Sequence, residues 1–131
     1  MNKKFILYAD DDSDDVTWVS EACKNLDLNW DIAFVSNGRE VMEFLHETQT
    51  HTPSLVVLDL NMPEMDGRQT LQQIKNSDLY KNIPVVIVTT SGNKMDKEVC
   101  KRLGASLYLT KPDSYREWQD VVLQLQSFVE A

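Results

Sequence analysis

Cysteine is scarce in this sequence, with Cys23 and Cys100 as the only two among 131 residues. They lie far apart along the chain and outside any spacing typical of metal ligands. A disulfide framework and a zinc site are therefore not expected, and both thiols are predicted to be buried or half-buried on helices.

Long apolar runs are also absent. Near the N-terminus the apolar run extends only from Phe5 to Ala9. A signal peptide needs roughly 7–15 such residues and a membrane span about 20. We therefore expect a protein that stays in the cytoplasm and does not insert into a membrane.

Basic residues are outnumbered, since 13 Lys and Arg stand against 21 Asp and Glu, which gives a formal net charge of −8. Because nucleic-acid-binding domains present a basic face, direct nucleic-acid binding is not expected. The length suits one domain of roughly 100–150 residues. No low-complexity stretch, long linker or internal repeat interrupts the chain, so residues 1–131 are predicted to form a single domain.

Five short apolar segments recur along the chain, each followed by a polar turn and a longer stretch with helical spacing. The segments are Phe5–Ala9, Ile32–Ser36, Leu55–Leu58, Val85–Val88 and Leu107–Leu109. Near-continuous apolar runs are typical of strands covered on both faces, as in a parallel sheet. The pattern predicts an α/β fold, a single doubly wound (βα)5 flavodoxin-like domain, for which the strand order is 2-1-3-4-5.

Helix signals agree with this pattern. Ser114 to Glu117 and Asp66 to Gln69 have the spacing of capping boxes, and Gly104 stands where a helix C-terminus would be capped.

Polar side chains follow four of the predicted strands. Acidic residues 10–12 follow the first strand, Asp59 the third, Thr89 the fourth and Lys111 the fifth. In open α/β sheets, ligands bind beyond the carboxyl ends of the strands, where the strand order reverses. Carboxylates that meet there repel one another unless a cation lies among them. Oxygen ligands without His or Cys favour Mg²⁺, so a magnesium site is predicted at this edge.

Four motifs at these strand ends resemble those of the bacterial response-regulator receiver family of two-component signalling. They are Tyr8-Ala-Asp-Asp-Asp12, Leu58-Asp-Leu-Asn-Met-Pro-Glu-Met-Asp-Gly67, Val88-Thr-Thr90 and Tyr108-Leu-Thr-Lys-Pro112. Each motif is weak alone, but four in order at family-like spacing are highly specific. The resemblance covers essentially the whole chain.

The resemblance implies that Asp59 is the phosphoacceptor. It also implies that Mg²⁺ (or Mn²⁺ in its place) is held by Asp11 directly, by Asp10 through a bound water, by Asp59, and by the backbone carbonyl of Asn61. The expected reaction is Mg²⁺-dependent transfer from the phosphohistidine of a sensor histidine kinase or a histidine phosphotransfer protein.

In the same family, a strand-four hydroxyl and a strand-five lysine bind phosphoryl oxygens, and these residues correspond to Thr89 and Lys111. The Lys111–Pro112 peptide bond is expected to be cis, as is common in the family. Thr89 would move toward the phosphoryl group and Tyr108 would rotate into the space it leaves. This would change the face formed by the fourth helix, the fifth strand and the fifth helix.

The resemblance implies no free-standing turnover enzyme, only self-catalysed phosphorylation and autodephosphorylation at Asp59. A downstream protein target is expected without being identified, and homodimer formation is left open. Because the sequence ends at Ala131, just after the fifth predicted helix, no output domain is expected.

Three alternatives are weighed against this interpretation. Asp10, Asp12, Asp14 and Glu21 match positions of a calcium-binding EF-hand loop, but Asp15 stands where that loop needs glycine. An aspartyl-nucleophile phosphohydrolase would carry its nucleophile after the first strand and a threonine where Asp14 stands. A degenerate receiver that only docks partners would not need the complete set of polar site residues, which are Asp10, Asp11, Asp59, Thr89 and Lys111. The acids at 12, 14 and 15 are interpreted as partners of a helix dipole.

Overall fold

The structure, a computed structural model, describes residues 3–47 and 52–130. Five strands alternate with five helices in this part of the chain. They are β1 (Lys4–Ala9), α1 (Ser13–Asn25), β2 (Trp30–Val35), α2 (Gly38–Glu47), β3 (Leu55–Leu58), α3 (Gly67–Lys75), β4 (Val85–Thr89), α4 (Lys94–Arg102), β5 (Leu107–Thr110) and α5 (Tyr115–Val129).

The strands form one parallel sheet in the order β2-β1-β3-β4-β5. The predicted fold class and strand order are therefore confirmed. All residues of β3 and β4 are buried, whereas β2 and β5 at the sheet edges are mostly half-buried. The continuous apolar runs arise because helices cover the central strands from both sides.

Two hydrophobic clusters lie on the two faces of the sheet. On one face, α1 and α5 pack against the sheet through Val19, Cys23, Trp118 and Val122, among others. On the other face, α2, α3 and α4 contribute Val41, Leu45, Leu71, Ile74 and Cys100. Both cysteine thiols are buried, as predicted.

The helix ends follow the predicted signals. Asp66 forms a complete capping box with Gln69 at the start of α3, and the Ser114 side chain accepts a hydrogen bond from the Glu117 amide at the start of α5. Gly104 has a φ of 107°, which lies in the left-handed region that favours glycine after a helix. Among the described residues, no helix is long and apolar enough to cross a bilayer.

Candidate functional site

Hydrogen bonds that continue the sheet beyond the strand ends fix the backbone of three predicted site residues. The amide of Asp10 donates to the Val35 carbonyl at 3.0 Å, and the amide of Asp59 donates to the Ala9 carbonyl at 3.1 Å. The amide of Lys111 donates to the Thr89 carbonyl at 2.7 Å. Because the strands are parallel, these three residues leave the sheet at the same edge.

Three carboxylates meet at this edge. Oxygens of Asp10, Asp11 and Asp59 all lie within 4.8 Å of one another. Asp10 and Asp59 are 4% and 6% exposed, while Asp11 is exposed to solvent. This group, called the acidic cluster below, could hold a divalent cation that solvent reaches from the side of Asp11.

Lys111 is the cation that the chain itself supplies. Its Nζ lies 3.0 Å from Oδ2 of Asp10, 3.0 Å from Oδ2 of Asp59 and 2.5 Å from Oδ2 of Asp15. Burial of the ammonium lowers the pKa of Lys111, but its hydrogen bonds to Asp15 and Asp59 and its ion pair with Asp10 outweigh burial, and the net pKa is raised. Lys111 therefore stays charged at neutral pH.

The surroundings of Asp10 favour its neutral form, whereas those of Lys111 favour its charged form. Burial raises its pKa from 3.8 to about 6, and the negative charge of Asp59 acts in the same direction. The Asp12 amide, which donates to Oδ1 at 2.9 Å, and the ammonium of Lys111 offset only part of that shift. Oδ2 of Asp10 is buried and, although it lies in ion-pair range of Lys111, it forms no hydrogen bond within the described parts of the chain.

Two further predicted residues lie beside the acidic cluster. The backbone amide of Asn61 donates to Oδ1 of Asp59 at 3.4 Å, so the loop after β3 folds back over that carboxylate. Thr89 ends β4 and is fully buried, and its Oγ1 accepts a hydrogen bond from the Ser91 amide at 3.4 Å. The structure brings both residues to the predicted edge, while their roles remain predictions.

The loop between β3 and α3 approaches the acidic cluster closely because Gly67 has no side chain. Its amide donates to the Leu60 carbonyl at 3.0 Å. A Cβ atom at this position would lie 2.2 Å from the carbonyl oxygen of Asp59. Only glycine can occupy this position without moving the backbone of Asp59.

A chain of hydrogen bonds connects β4 with α4 and β5. The hydroxyl of Tyr108 donates to the Ser91 carbonyl at 2.8 Å, and Oγ of Ser91 donates to Oδ2 of Asp96 at 2.7 Å. Oδ1 of Asp96 lies 2.5 Å from the Arg68 guanidinium at the start of α3. The sequence interpretation included Tyr108 in the switch but missed the pairing of Arg68 with Asp96.

The expectation of a cis Lys111–Pro112 bond is wrong for this structure, because the described residues contain no cis peptide bond. The trans isomer of an X–Pro bond is intrinsically favoured by about 0.5–1 kcal/mol. The contacts of Lys111 with the three carboxylates are made with the trans bond.

The sequence interpretation also missed a contact of Asp15 with Lys111. Asp12 caps α1, since its side chain accepts a hydrogen bond from the Asp14 amide, and Asp14 and Asp15 lie in the first turn, as the dipole interpretation predicted. Asp15 in addition reaches Lys111, which is 96 positions away in the sequence.

The EF-hand alternative is wrong, because Ser13 to Asn25 form a helix instead of a calcium loop.

Fold and site together define a class: a doubly wound α/β domain with an acidic, cation-accepting cluster and one buried lysine at the carboxyl edge of its sheet. A family model described as "Response regulator receiver domain" matches residues 6–122. Response regulator Rcp1 of Synechocystis is 33% identical over 129 residues, which are 95% of this chain and 88% of Rcp1.

Two solved structures agree in fold and sequence. The phosphorylated cyanobacterial phytochrome response regulator RcpA superposes with a TM-score of 0.88 at 30% identity, covering 99% of this chain and 96% of RcpA. The Mn²⁺-bound form of Rcp1 gives a TM-score of 0.84 at 33% identity, covering 95% and 93%. The chain belongs to the response-regulator receiver family of two-component signalling.

Proposed function

We propose that Asp59 is the phosphoacceptor of this receiver domain. Mg²⁺, or Mn²⁺ in its place, would be held by Asp10, Asp11, Asp59 and the backbone carbonyl of Asn61. The observation that carries the proposal is the position of Asp59, whose carboxylate lies within 4.8 Å of those of Asp10 and Asp11 and 3.0 Å from the Lys111 ammonium.

The residues of the acidic cluster fit a divalent metal. The three carboxylates of the acidic cluster carry more negative charge than the Lys111 ammonium, 3.0 Å from the buried Oδ2 of Asp10, can neutralise, and a divalent cation would compensate the remainder. The ligand set contains only oxygen atoms, which suits Mg²⁺ and Mn²⁺. The metal, when bound, would neutralise negative charge on the incoming phosphoryl group. The solved Mn²⁺-bound form of Rcp1 supports a divalent ion in this family.

The chain's own residues would position and neutralise the phosphoryl group. An oxygen of Asp59 forms a bond to phosphorus while the bond to the imidazole nitrogen of a phosphohistidine breaks, and that nitrogen keeps the electron pair. Lys111 would pair with one phosphoryl oxygen and Thr89 would donate a hydrogen bond to another. Such transfers depend mainly on alignment and charge stabilisation. The phosphorylated structure of RcpA, a relative 30% identical to this chain, supports phosphorylation of this chain.

The phosphodonor would be a sensor histidine kinase or a histidine phosphotransfer protein, acting in the cytoplasm. Residues 1–131 are taken as one receiver domain, consistent with the family match over residues 6–122. The output would be read from the face of α4, β5 and α5 by a downstream protein.

The proposal is tested by incubating the chain with acetyl phosphate and Mg²⁺ and measuring its intact mass. The expected result is a gain of about 80 Da, the mass of one phosphoryl group. The gain should disappear with excess chelator and in the Asp59→Asn variant, which keeps the shape of the side chain but lacks the nucleophilic carboxylate. A wild-type chain that stays unmodified would contradict the proposal and favour a docking-only receiver.

Divalent-metal affinity should depend on pH because the metal competes with a proton at Asp10. The raised pKa of about 6 means that Asp10 is mostly protonated at pH 5 and mostly ionised at pH 7. The dissociation constant for Mg²⁺ should therefore be about tenfold higher at pH 5 than at pH 7. Isothermal titration calorimetry at both pH values measures it.

The raised pKa of Asp10 also determines how the stability of the metal-free chain changes with pH. Since the pKa of Asp10 is higher in the folded than in the unfolded state, its contribution to stability is present below pH 4 and is lost as the pH rises through about 6. The Asp10→Asn variant is the control and should lose this pH dependence in urea unfolding. For the metal titration, an equal Mg²⁺ dissociation constant at pH 5 and pH 7 would show that Asp10 is not a ligand of the metal.

Tyr108 should matter for the output and not for phosphorylation. Its hydroxyl donates to the Ser91 carbonyl, and none of its described hydrogen bonds is to a carboxylate of the acidic cluster. We expect Tyr108→Ala to be phosphorylated at the wild-type rate and to lose the amide chemical-shift changes that beryllofluoride induces in α4, β5 and α5. Tyr108→Phe, which keeps the ring, should retain most of them. If Tyr108→Ala shows the wild-type changes, the coupling through Tyr108 is wrong.

A further inference from the structure

Asp15 lies at the end of the Lys111 side chain, although it belongs to neither the acidic cluster nor the family motifs. Its Oδ2 is 2.5 Å from Nζ of Lys111, the shortest of the three ion pairs that the lysine makes with residues 3–47 and 52–130. The two side chains are 14% and 8% exposed, so solvent screens this pair only weakly. The helix dipole explains a carboxylate in the first turn of α1, but it does not explain why that carboxylate is directed at Lys111.

Once a metal is bound and Asp59 is phosphorylated, as proposed above, Asp15 would be the remaining carboxylate partner of Lys111. Metal binding would engage Asp10, and phosphorylation would convert the carboxylate of Asp59 into an acyl phosphate. Of the three carboxylates that contact Lys111 in the described chain, only that of Asp15 is neither a proposed metal ligand nor the proposed phosphoacceptor. A lysine side chain without an anchor would lose alignment, since its four-carbon stem is flexible.

The position of Asp15 is well fixed. The side chain of Asp12 caps α1, and Val19 in the next turn is buried against the sheet. The first turn of α1 therefore cannot shift without disturbing the core, and the carboxylate of Asp15 is presented to Lys111 from a rigid element.

We propose that Asp15 is a positioning residue for phosphorylation, which holds the Lys111 ammonium beside Asp59 throughout the transfer. The inference rests on the proposed function of Asp59 and Lys111. With acetyl phosphate as donor, an oxygen of Asp59 forms a bond to phosphorus, the bond between phosphorus and the acetate oxygen breaks, and acetate leaves with the electron pair. Lys111, anchored by Asp15, stabilises the phosphoryl oxygens during this exchange.

The test compares phosphorylation rates of the full chain carrying Asp15→Asn or Asp14→Asn at saturating Mg²⁺ and acetyl phosphate. Asp14→Asn is the matched control, because Asp14 is the adjacent residue of the same turn, is exposed, and loses the same formal charge. We expect Asp15→Asn to phosphorylate about tenfold more slowly, since loss of alignment is costly in such reactions. The Asp14→Asn variant should react at the wild-type rate. Asp15→Glu, which restores a carboxylate, should recover part of the rate.

Two further measurements separate positioning from a merely structural effect. The Mg²⁺ dissociation constant of Asp15→Asn should equal that of the wild type, because Asp15 is not in the acidic cluster. In a Lys111→Met background, Asp15→Asn should have no further effect on the phosphorylation rate, because it acts through the lysine. A wild-type rate for Asp15→Asn, or an undiminished effect without Lys111, would overturn the proposal.

The pairing of Asp15 with Lys111 can be tested without phosphorylation. Asp15→Asn should shift the urea midpoint of unfolding further toward lower urea in the wild-type background than in the Lys111→Met background. Equal shifts in both backgrounds would exclude the coupling. If wild type gains no phosphoryl mass while the two residues are coupled, the assignment of Asp59 fails and the Asp15–Lys111 pair stands.

Discussion

Replacing Lys111 with methionine should slow phosphorylation by acetyl phosphate by about 100- to 1,000-fold, the usual cost of removing one preorganised group that stabilises transition-state charge. The substitution keeps an unbranched apolar stem and removes the ammonium that lies 3.0 Å from Asp59. The phosphoryl group would then meet the carboxylates of Asp10, Asp15 and Asp59 without the chain's own cation. The rate of gain in phosphorylated mass under fixed Mg²⁺ measures the effect.

The same variant should be less stable in the absence of metal. The side chains of Lys111 and Asp10 are 8% and 1% exposed, and removing one member of a buried ion pair leaves the other uncompensated, at a cost of about 3 kcal/mol in the free energy of unfolding. Added Mg²⁺ should reduce that deficit. Lys24→Met, which removes an exposed lysine from the last turn of α1, is the charge-matched control. It should change neither the phosphorylation rate nor the free energy of unfolding. A wild-type rate for Lys111→Met would remove the lysine from the proposed mechanism.

Replacing Gly67 with alanine should lower the free energy of unfolding by about 3 kcal/mol, at the upper end of the range for overpacking. The added Cβ would lie 2.2 Å from the carbonyl oxygen of Asp59 and 2.9 Å from Cα of Leu60, and both are backbone atoms that cannot rotate away. Either the loop before α3 or the end of β3 has to move. Urea unfolding monitored by circular dichroism gives the change.

Gly92→Ala provides the matched control in the loop between β4 and α4. Apart from Gly92 itself and its two chain neighbours, no heavy atom of the described chain lies within 4 Å of the Cβ that this substitution would add. We expect its stability to match the wild type or to increase slightly through reduced freedom of the unfolded chain. Equal stabilities of the Gly67 and Gly92 variants would mean that the loop before α3 can relax at no cost.

The element order could be predicted because each element carries its own periodic pattern. The apolar runs Leu55–Leu58 and Val85–Val88 gave two central strands to within one residue, since burial on both faces leaves no polar position in them. The second strand is less well predicted: it begins at Trp30, two residues before the apolar run, because an edge strand tolerates Asp31 on its exposed side.

The cluster of predicted site residues followed from topology and not from any single motif. A parallel sheet places the carboxyl ends of all its strands at one edge, so Asp10, Asp59 and Lys111 had to emerge near one another once the strands were assigned. The ion pairs of Lys111 with Asp10 and Asp59 agree with that expectation. The chemical roles of these residues are testable by the variants above.

By itself, the sequence determined the five βα units and the edge at which the polar residues gather, because these depend on local periodicity and on the general rules of parallel sheets. The strand order was expected from the flavodoxin-like fold class and not from the periodicity. Only the tertiary structure decided that Asp15 pairs with Lys111, that burial raises the pKa of Asp10, and that Gly67 lies against the backbone of Asp59. Each of these depends on the direction of a side chain and on differences of an ångström or two in the distance between segments that are far apart in the sequence. Such distances are set by how the helices pack on the sheet, and no local pattern in the sequence records them.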